Sequence, residues 1–190
     1  MARDKGGKME QVAEQTARLV LQYGMDVITH ARVARASGVS RPWLYKYIGG
    51  ERQDLITFMA THFGMRLAEL DQRPRTESRA LWIDDTVEGL RTMARLANDA
   101  PWVLPLYFRY VGSDGPLGKC IQEIETRYLD LSSRELVRAG VSDRPRARLT
   151  AELIHAARLG IVHRHLTTGM AADPALSEAV ATFRRWLDTL

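Results

Sequence analysis

Between Thr29 and Tyr47 the chain carries two short helical segments separated by Ser37-Gly38-Val39-Ser40, and no other stretch limits the possible folds as tightly. Thr29 precedes His30-Ala31-Arg32-Val33-Ala34-Arg35-Ala36. Its hydroxyl is suited to satisfy an orphan backbone N–H at the start of that helix. Gly38 accommodates the positive φ that a tight turn demands. Ser40 is a second N-cap candidate, and Pro42 falls in the first turn of the next helix, where a missing N–H costs nothing. That helix reads from Arg41 to Ile48 and breaks at Gly49-Gly50. Ala34 is small where the two helices must approach, and Val33, Val39 and Leu44 are spaced to form a small core under the turn. The expected unit is a helix-turn-helix.

The second helix bears Arg41, Trp43, Tyr45, Lys46 and Tyr47 on or near its outer surface. Reading a duplex takes donors for phosphates, donors for base edges and apolar groups for thymine methyls, and this helix holds all three. The competing reading packs Trp43 and one tyrosine against the preceding helix, since large aromatics are mostly buried. Charge is distributed to match. The net charge is +4, with eight Lys/Arg against four Asp/Glu in residues 1–50 and nineteen of each in residues 51–190. The whole positive excess lies ahead of an electrically neutral body, as expected of a segment facing a polyanion; a solvated basic face is the plainer alternative.

Every other periodic stretch is helical, so the expected class is all-α. Met9, Val12, Thr16, Leu19 and Tyr23 mark a helix that Gly24 ends, and residues 1–8, with Arg3, Lys5 and Lys8, read as a flexible basic arm. Such an arm either reaches a neighbouring groove or is a loose tail. A connecting helix is expected over 51–71, with a linker around Pro74. Helices follow on Ile83 to Ala97, on 102–112, from Leu117 to Gly140, over 145–168 and over 174–190. The longest apolar run, Pro101 to Phe108, is too short to span a bilayer, so no membrane partner is expected. The opening MARDKGGKMEQ lacks an apolar stretch, which makes the cytoplasm the expected compartment. The single cysteine, Cys120, leaves no intramolecular disulfide to form.

The segment Gly24-Met25-Asp26-Val27-Ile28-Thr29, then Val33-Ala34, Ala36-Ser37-Gly38-Val39-Ser40 and Leu44-Tyr45-Lys46-Tyr47, resembles the DNA-binding segment of the tetracycline-repressor (TetR) family over about Met9 to Met65. The resemblance implies an N-terminal three-helix DNA-binding domain (9–50) and a C-terminal helical bundle (76–190) for ligand binding and dimerisation. It implies a repressor that binds a palindromic operator in double-stranded DNA as a homodimer and responds to a small molecule, with no cofactor. Thr29 would cap the helix over the phosphate backbone. Ser40 and Pro42 would open the reading helix, Arg41 and Trp43 would face the major groove, and Tyr45 and Tyr47 would meet phosphates, as the chemistry of Lys46 also suits it to do. Arg52 stands where the family often has a phosphate-binding lysine. Ile48 replaces a usual phenylalanine and His30 a usual aliphatic, and Gly49-Gly50-Glu51 matches the longer variant of the loop.

In such regulators the helices of the body enclose an inducer pocket. Trp82, Met93, Trp102, Leu106, Tyr107, Phe108, Tyr110, Cys120, Ile124 and Tyr128 supply aromatic and soft apolar groups that would suit an apolar or aromatic ligand; a plain core is the alternative for each. Ala156, Ala157 and Gly160 would let a second backbone come close, and Phe183, Trp186, Leu187 and Leu190 would add apolar area to a dimer surface, unless they only close the monomer's own core. An enzyme is not expected: the chain has no Gly-rich phosphate loop, no Gly-x-Ser-x-Gly elbow and no His-Glu-x-x-His. His155, His163 and His165 do not share a helix face, so no metal site is expected. The remaining alternative is a helical small-molecule-binding or scaffold protein without sequence-specific DNA binding.

Overall fold

A computed structural model describes residues 2–68, 78–167 and 173–190 of the chain, and every regular element among them is helical. In order these are α1 (Ala2–Tyr23), a 3-10 turn (Met25–Val27), α2 (His30–Ser37), α3 (Arg41–Tyr47), α4 (Arg52–Ala68), α5 (Arg79–Asp99), α6 (Val103–Tyr110), α7 (Pro116–Arg138), α8 (Arg144–Thr167) and α9 (Asp173–Asp188). The expected linker around Pro74 lies outside the described residues. No described helix is long and apolar enough to cross a membrane.

The chain divides into two compact units. The first comprises α1–α4, α6 and the start of α7 up to Ile124. Its core follows from helical spacing: Val12, Ala13, Ala17 and Val20 line one face of α1, and Leu55, Met59 and Phe63 line one face of α4. Thr16 belongs to the same buried face because its hydroxyl donates to the Val12 carbonyl at 2.7 Å. Arg109 on α6 reaches the end of α1, where its Nη1 donates to the Leu21 carbonyl at 2.5 Å and approaches that of Val20 at 3.5 Å. A guanidinium there satisfies helix-terminal carbonyls and complements the negative end of the helix dipole.

The start of α1 departs from expectation. Residues 1–8 read as a flexible arm, yet the helix begins at Ala2. Gly6-Gly7 each cost about 1 kcal/mol relative to alanine inside a helix, which is why the stretch reads as loose. Lys5 offsets this by placing its Nζ 4.5 Å from the centre of the Tyr47 ring.

The second unit comprises α5, the rest of α7, α8 and α9. Ile83, Val87, Leu90 and Ala94 of α5 meet Ala147, Ala151, Ile154 and Val162 of α8 and Val180, Phe183 and Leu187 of α9 in its core. Arg184 of α9 pairs with Asp84 of α5 at 2.6 Å, and Arg79 donates to the Asp188 carbonyl at 3.0 Å, so polar links tie α9 to α5 around the apolar contact. The unit also buries charge. Arg158 is fully buried, with Nη1 donating to the Tyr128 hydroxyl at 2.6 Å. The His155 ring lies 4.8 Å from that of Tyr128, and its Nε2 is 3.5 Å from Glu125 Oε1.

Candidate nucleic-acid interface

Both caps expected around the turn form. Thr29 Oγ1 accepts from the Arg32 N–H, and Ser40 Oγ accepts from the Trp43 N–H, each at 3.3 Å. Gly38 sits between the helices at φ +66°, a left-handed conformation that a side chain strains. Val33, Ala34 and Leu44 are buried beneath it, and the Ser37 hydroxyl is satisfied by the Val33 carbonyl at 2.6 Å. Leu44 is thus the anchor of α3, and its complete burial decides which side of the helix faces outward.

That outward side carries Arg41, Pro42, Tyr45 and Lys46, all exposed. Tyr45 keeps 51% of its surface accessible. Trp43 and Tyr47 occupy the flank, half-buried, with ring centres 5.0 Å apart as expected one helical turn from each other. Lys46 Nζ lies 5.2 Å from the Tyr47 ring centre, and Lys5 of α1 approaches the same ring. Two ammonium groups therefore gather around one aromatic ring beside the exposed side of α3. Trp43 is less exposed than Arg41, because its ring packs along the flank against Tyr47.

Arg52 is already engaged. Its Nη2 donates to the Met25 carbonyl at 2.9 Å and to Asp26 Oδ1 at 3.1 Å, so it braces the turn between α1 and α2. With half of its side chain exposed it still presents a cation beside that turn. His30, the departure noted in the sequence, acts as a strut: Nε2 lies 2.9 Å from the Gly49 carbonyl, and the ring stacks on Tyr45 with centres 4.6 Å apart. An aliphatic side chain makes neither contact. Sequence reasoning marked His30 only as a softened packing position; its hydrogen bond spans nineteen residues and leaves no local signature.

The residues proposed for an inducer pocket fall in both units. Trp102, Tyr107, Phe108, Tyr110, Cys120 and Ile124 belong to the first unit, whereas Trp82, Met93 and Tyr128 belong to the second. Trp82, Met93, Trp102 and Tyr107 are core residues, and Phe108 is exposed. Cys120 donates to the Ala60 carbonyl at 3.3 Å. Burial pushes its thiol above the ordinary range, the Glu123 charge adds to this, and the Gly64 backbone partly opposes it.

Two cavities open in the second unit, and none of those residues lines either. One, of about 510 Å³, lies between α8 and α9 against Ile161, His165, Ala179, Phe183 and Trp186. The other, of about 440 Å³, is lined from α5, α8 and α9. Among the proposed dimer residues, Phe183 and Leu187 are buried against the chain's own helices, while Ala156 and Gly160 are exposed and Ala157 and Trp186 half-buried. Leu149 and Leu153, 59% and 55% exposed, continue the Ala156–Gly160 line along α8. Among the described residues no three histidine, cysteine or acidic side chains converge as a metal site.

Comparison with known proteins agrees with this architecture. No protein-family model matches the chain. Uncharacterized HTH-type transcriptional regulators of Mycobacterium bovis and Mycobacterium tuberculosis are each 30% identical over 90 residues. That match spans 45% of this chain and 46% of each relative, so less than half the length of these curated relatives is covered. Solved structures align over nearly the whole chain. A TetR-like transcriptional regulator from Rhodococcus superposes with a TM-score of 0.72 at 16% identity, covering 96% of this chain and 97% of its own. The fatty acid degradation regulator FadR from Bacillus halodurans gives 0.65 at 14% identity, covering 95% and 94%. FadR from Bacillus subtilis, solved in complex with stearoyl-CoA, gives 0.66 at 14% identity, covering 94% and 96%.

Proposed function

We propose that this chain, which has the fold of the TetR-like transcriptional regulators, is a ligand-responsive DNA-binding regulator that represses from a palindromic operator as a homodimer. The observation that carries the reading is the disposition of α3: Leu44 is fully buried while Arg41, Tyr45 and Lys46 stand exposed on a helix held at both ends of its turn by side-chain caps. A helix so mounted offers donors to phosphates and base edges at once. Its relatives over 90 residues are HTH-type regulators, which supports the same reading. On it the protein works with the chromosome in the cytoplasm and needs no catalytic group.

One such helix reads only a few base pairs, so two copies about 34 Å apart are needed to read successive major-groove faces. The exposed stripe Leu149, Leu153, Ala156 and Gly160 supports α8 as the dimer surface: its spacing keeps the four on one side, and the small residues admit a close helix–helix approach. The ligand acts by preferring one spacing of the two reading helices, and its differential affinity sets how far the equilibrium moves. Arg109, which ties α6 to the end of α1, is the residue through which a shift of α6 would move the reading head.

Fluorescence anisotropy with genomic duplexes across a salt series tests the proposal. Affinity falls steeply with salt, because phosphate contacts release counterions. A protein that binds no duplex at any salt concentration is the helical scaffold instead.

A further inference from the structure

The cavity of about 440 Å³ in the second unit has a wall chemistry of its own. Its floor is apolar, from Val87, Ala94, Leu176 and Val180. Arg91 and Arg95 of α5 and Arg184 of α9 also line it, and among the described residues no carboxylate does. The acids that pair with these arginines stand outside the lining: Glu88 takes Arg95 at 2.7 Å and Arg91 at 3.4 Å, and Asp84 takes Arg184 at 2.6 Å. Three guanidiniums therefore share two carboxylates, and about half of each guanidinium side chain remains accessible. Asn98 and Ser177 add neutral donors to the same wall.

His165 lies at the wall shared with the neighbouring cavity between α8 and α9. It lines the cavity from α8, its side chain is more than nine-tenths buried, and its Nδ1 is buried without a hydrogen-bond partner. A buried polar nitrogen with no partner is a standing cost to the fold.

We propose that this cavity binds a small organic anion: a carboxylate carried on an apolar body. The planar guanidinium forks of Arg91 and Arg95 match a carboxylate with paired N–H donors. The apolar floor takes the body, and a volume of this size is within the range of small-molecule sites. The inference deepens the regulator reading by naming the class of its effector, and it rests on that reading only for the effector's consequence on DNA.

Isothermal titration calorimetry of the full chain, without DNA, tests the site. The probes are octanoate and benzoate, with octanol and inorganic phosphate as the uncharged and body-less counterparts. Saturable binding of a carboxylate is expected, with octanol and phosphate each weaker by about tenfold or more. The Arg91→Gln/Arg95→Gln double variant loses about tenfold or more in carboxylate affinity. Both arginines pair with Glu88 on their own helix, so the change leaves helix packing intact. Ala181→Phe fills the cavity from the exposed side of α9 while keeping all three arginines, and it abolishes binding. No saturable binding of either carboxylate, or binding that both variants leave unchanged, overturns the proposal. Intact DNA binding alongside absent carboxylate binding removes the site alone. Carboxylate binding by a chain that binds no duplex keeps the site and removes the regulator.

Discussion

Arg41 and Lys46 share the exposed side of α3, yet the proposed interface gives them different work. Lys46 is a compact point charge suited to phosphate, so Lys46→Ala should weaken all duplexes by a similar factor and lower the salt slope by about one. Arg41 has the fork that pairs with guanine, so Arg41→Ala should relax preference at one position, by about 1–3 kcal/mol of discrimination. Anisotropy with a panel of single-base operator variants separates the two outcomes. Trp43 and Tyr47 brace each other on the flank, and Trp43→Ala should therefore disturb α3 as well as any groove contact. At the other pole of chemical reactivity stands Cys120. Burial and the Glu123 charge raise its thiol pKa, which keeps it protonated at neutral pH, and only the thiolate is nucleophilic. Labelling with a disulfide reagent at neutral pH should be slower than for free cysteine, and the rate should still be climbing at pH values where free cysteine has levelled off.

The helices around the turn in the first unit are set by their ends more than by their interiors. Ser40→Ala removes a bond to the Trp43 N–H and should cost about 1 kcal/mol, visible as a lower urea midpoint with an unchanged slope. Arg109→Gln withdraws the guanidinium from the end of α1. Amides near Gly24 should then exchange faster while those of α4 do not, and hydrogen exchange read by mass spectrometry resolves the two. These end effects explain what was legible beforehand. Thr29, Gly38, Ser40 and Pro42 act through neighbours within three or four residues, so their roles can be read from spacing alone. The limits of α5 through α9 follow likewise from the 3.6-residue apolar period and the Gly and Pro breaks. What stayed hidden was long-range. The helical start of α1 brings Lys5 to Tyr47, and the commitment of Arg52 depends on Asp26 coming alongside. The arginines around the second-unit cavity look, on an amphipathic helix, like any solvated face. The aromatic residues proposed for a pocket were grouped by type, and composition carries no information about which unit each belongs to.

At the scale of the whole molecule the proposal requires two chains. The α8 stripe is the place where a charge should forbid them: Leu153→Glu, or an arginine in place of Gly160, should convert a dimer to a monomer in sedimentation velocity with unchanged circular dichroism. Operator affinity should collapse with it, since a monomer holds only one half-site. The central claim is that α3 of each protomer reads a half-site of a two-fold symmetric operator. Its most direct test is selection of bound fragments from a random duplex pool by the purified protein, followed by sequencing. The account predicts a palindromic consensus with half-site centres about one helical turn, or a multiple of it, apart, and a changed consensus when Arg41→Ala is the bait. Enrichment of no consensus, or of one that Arg41→Ala and Lys46→Ala leave untouched in both sequence and affinity, would contradict it.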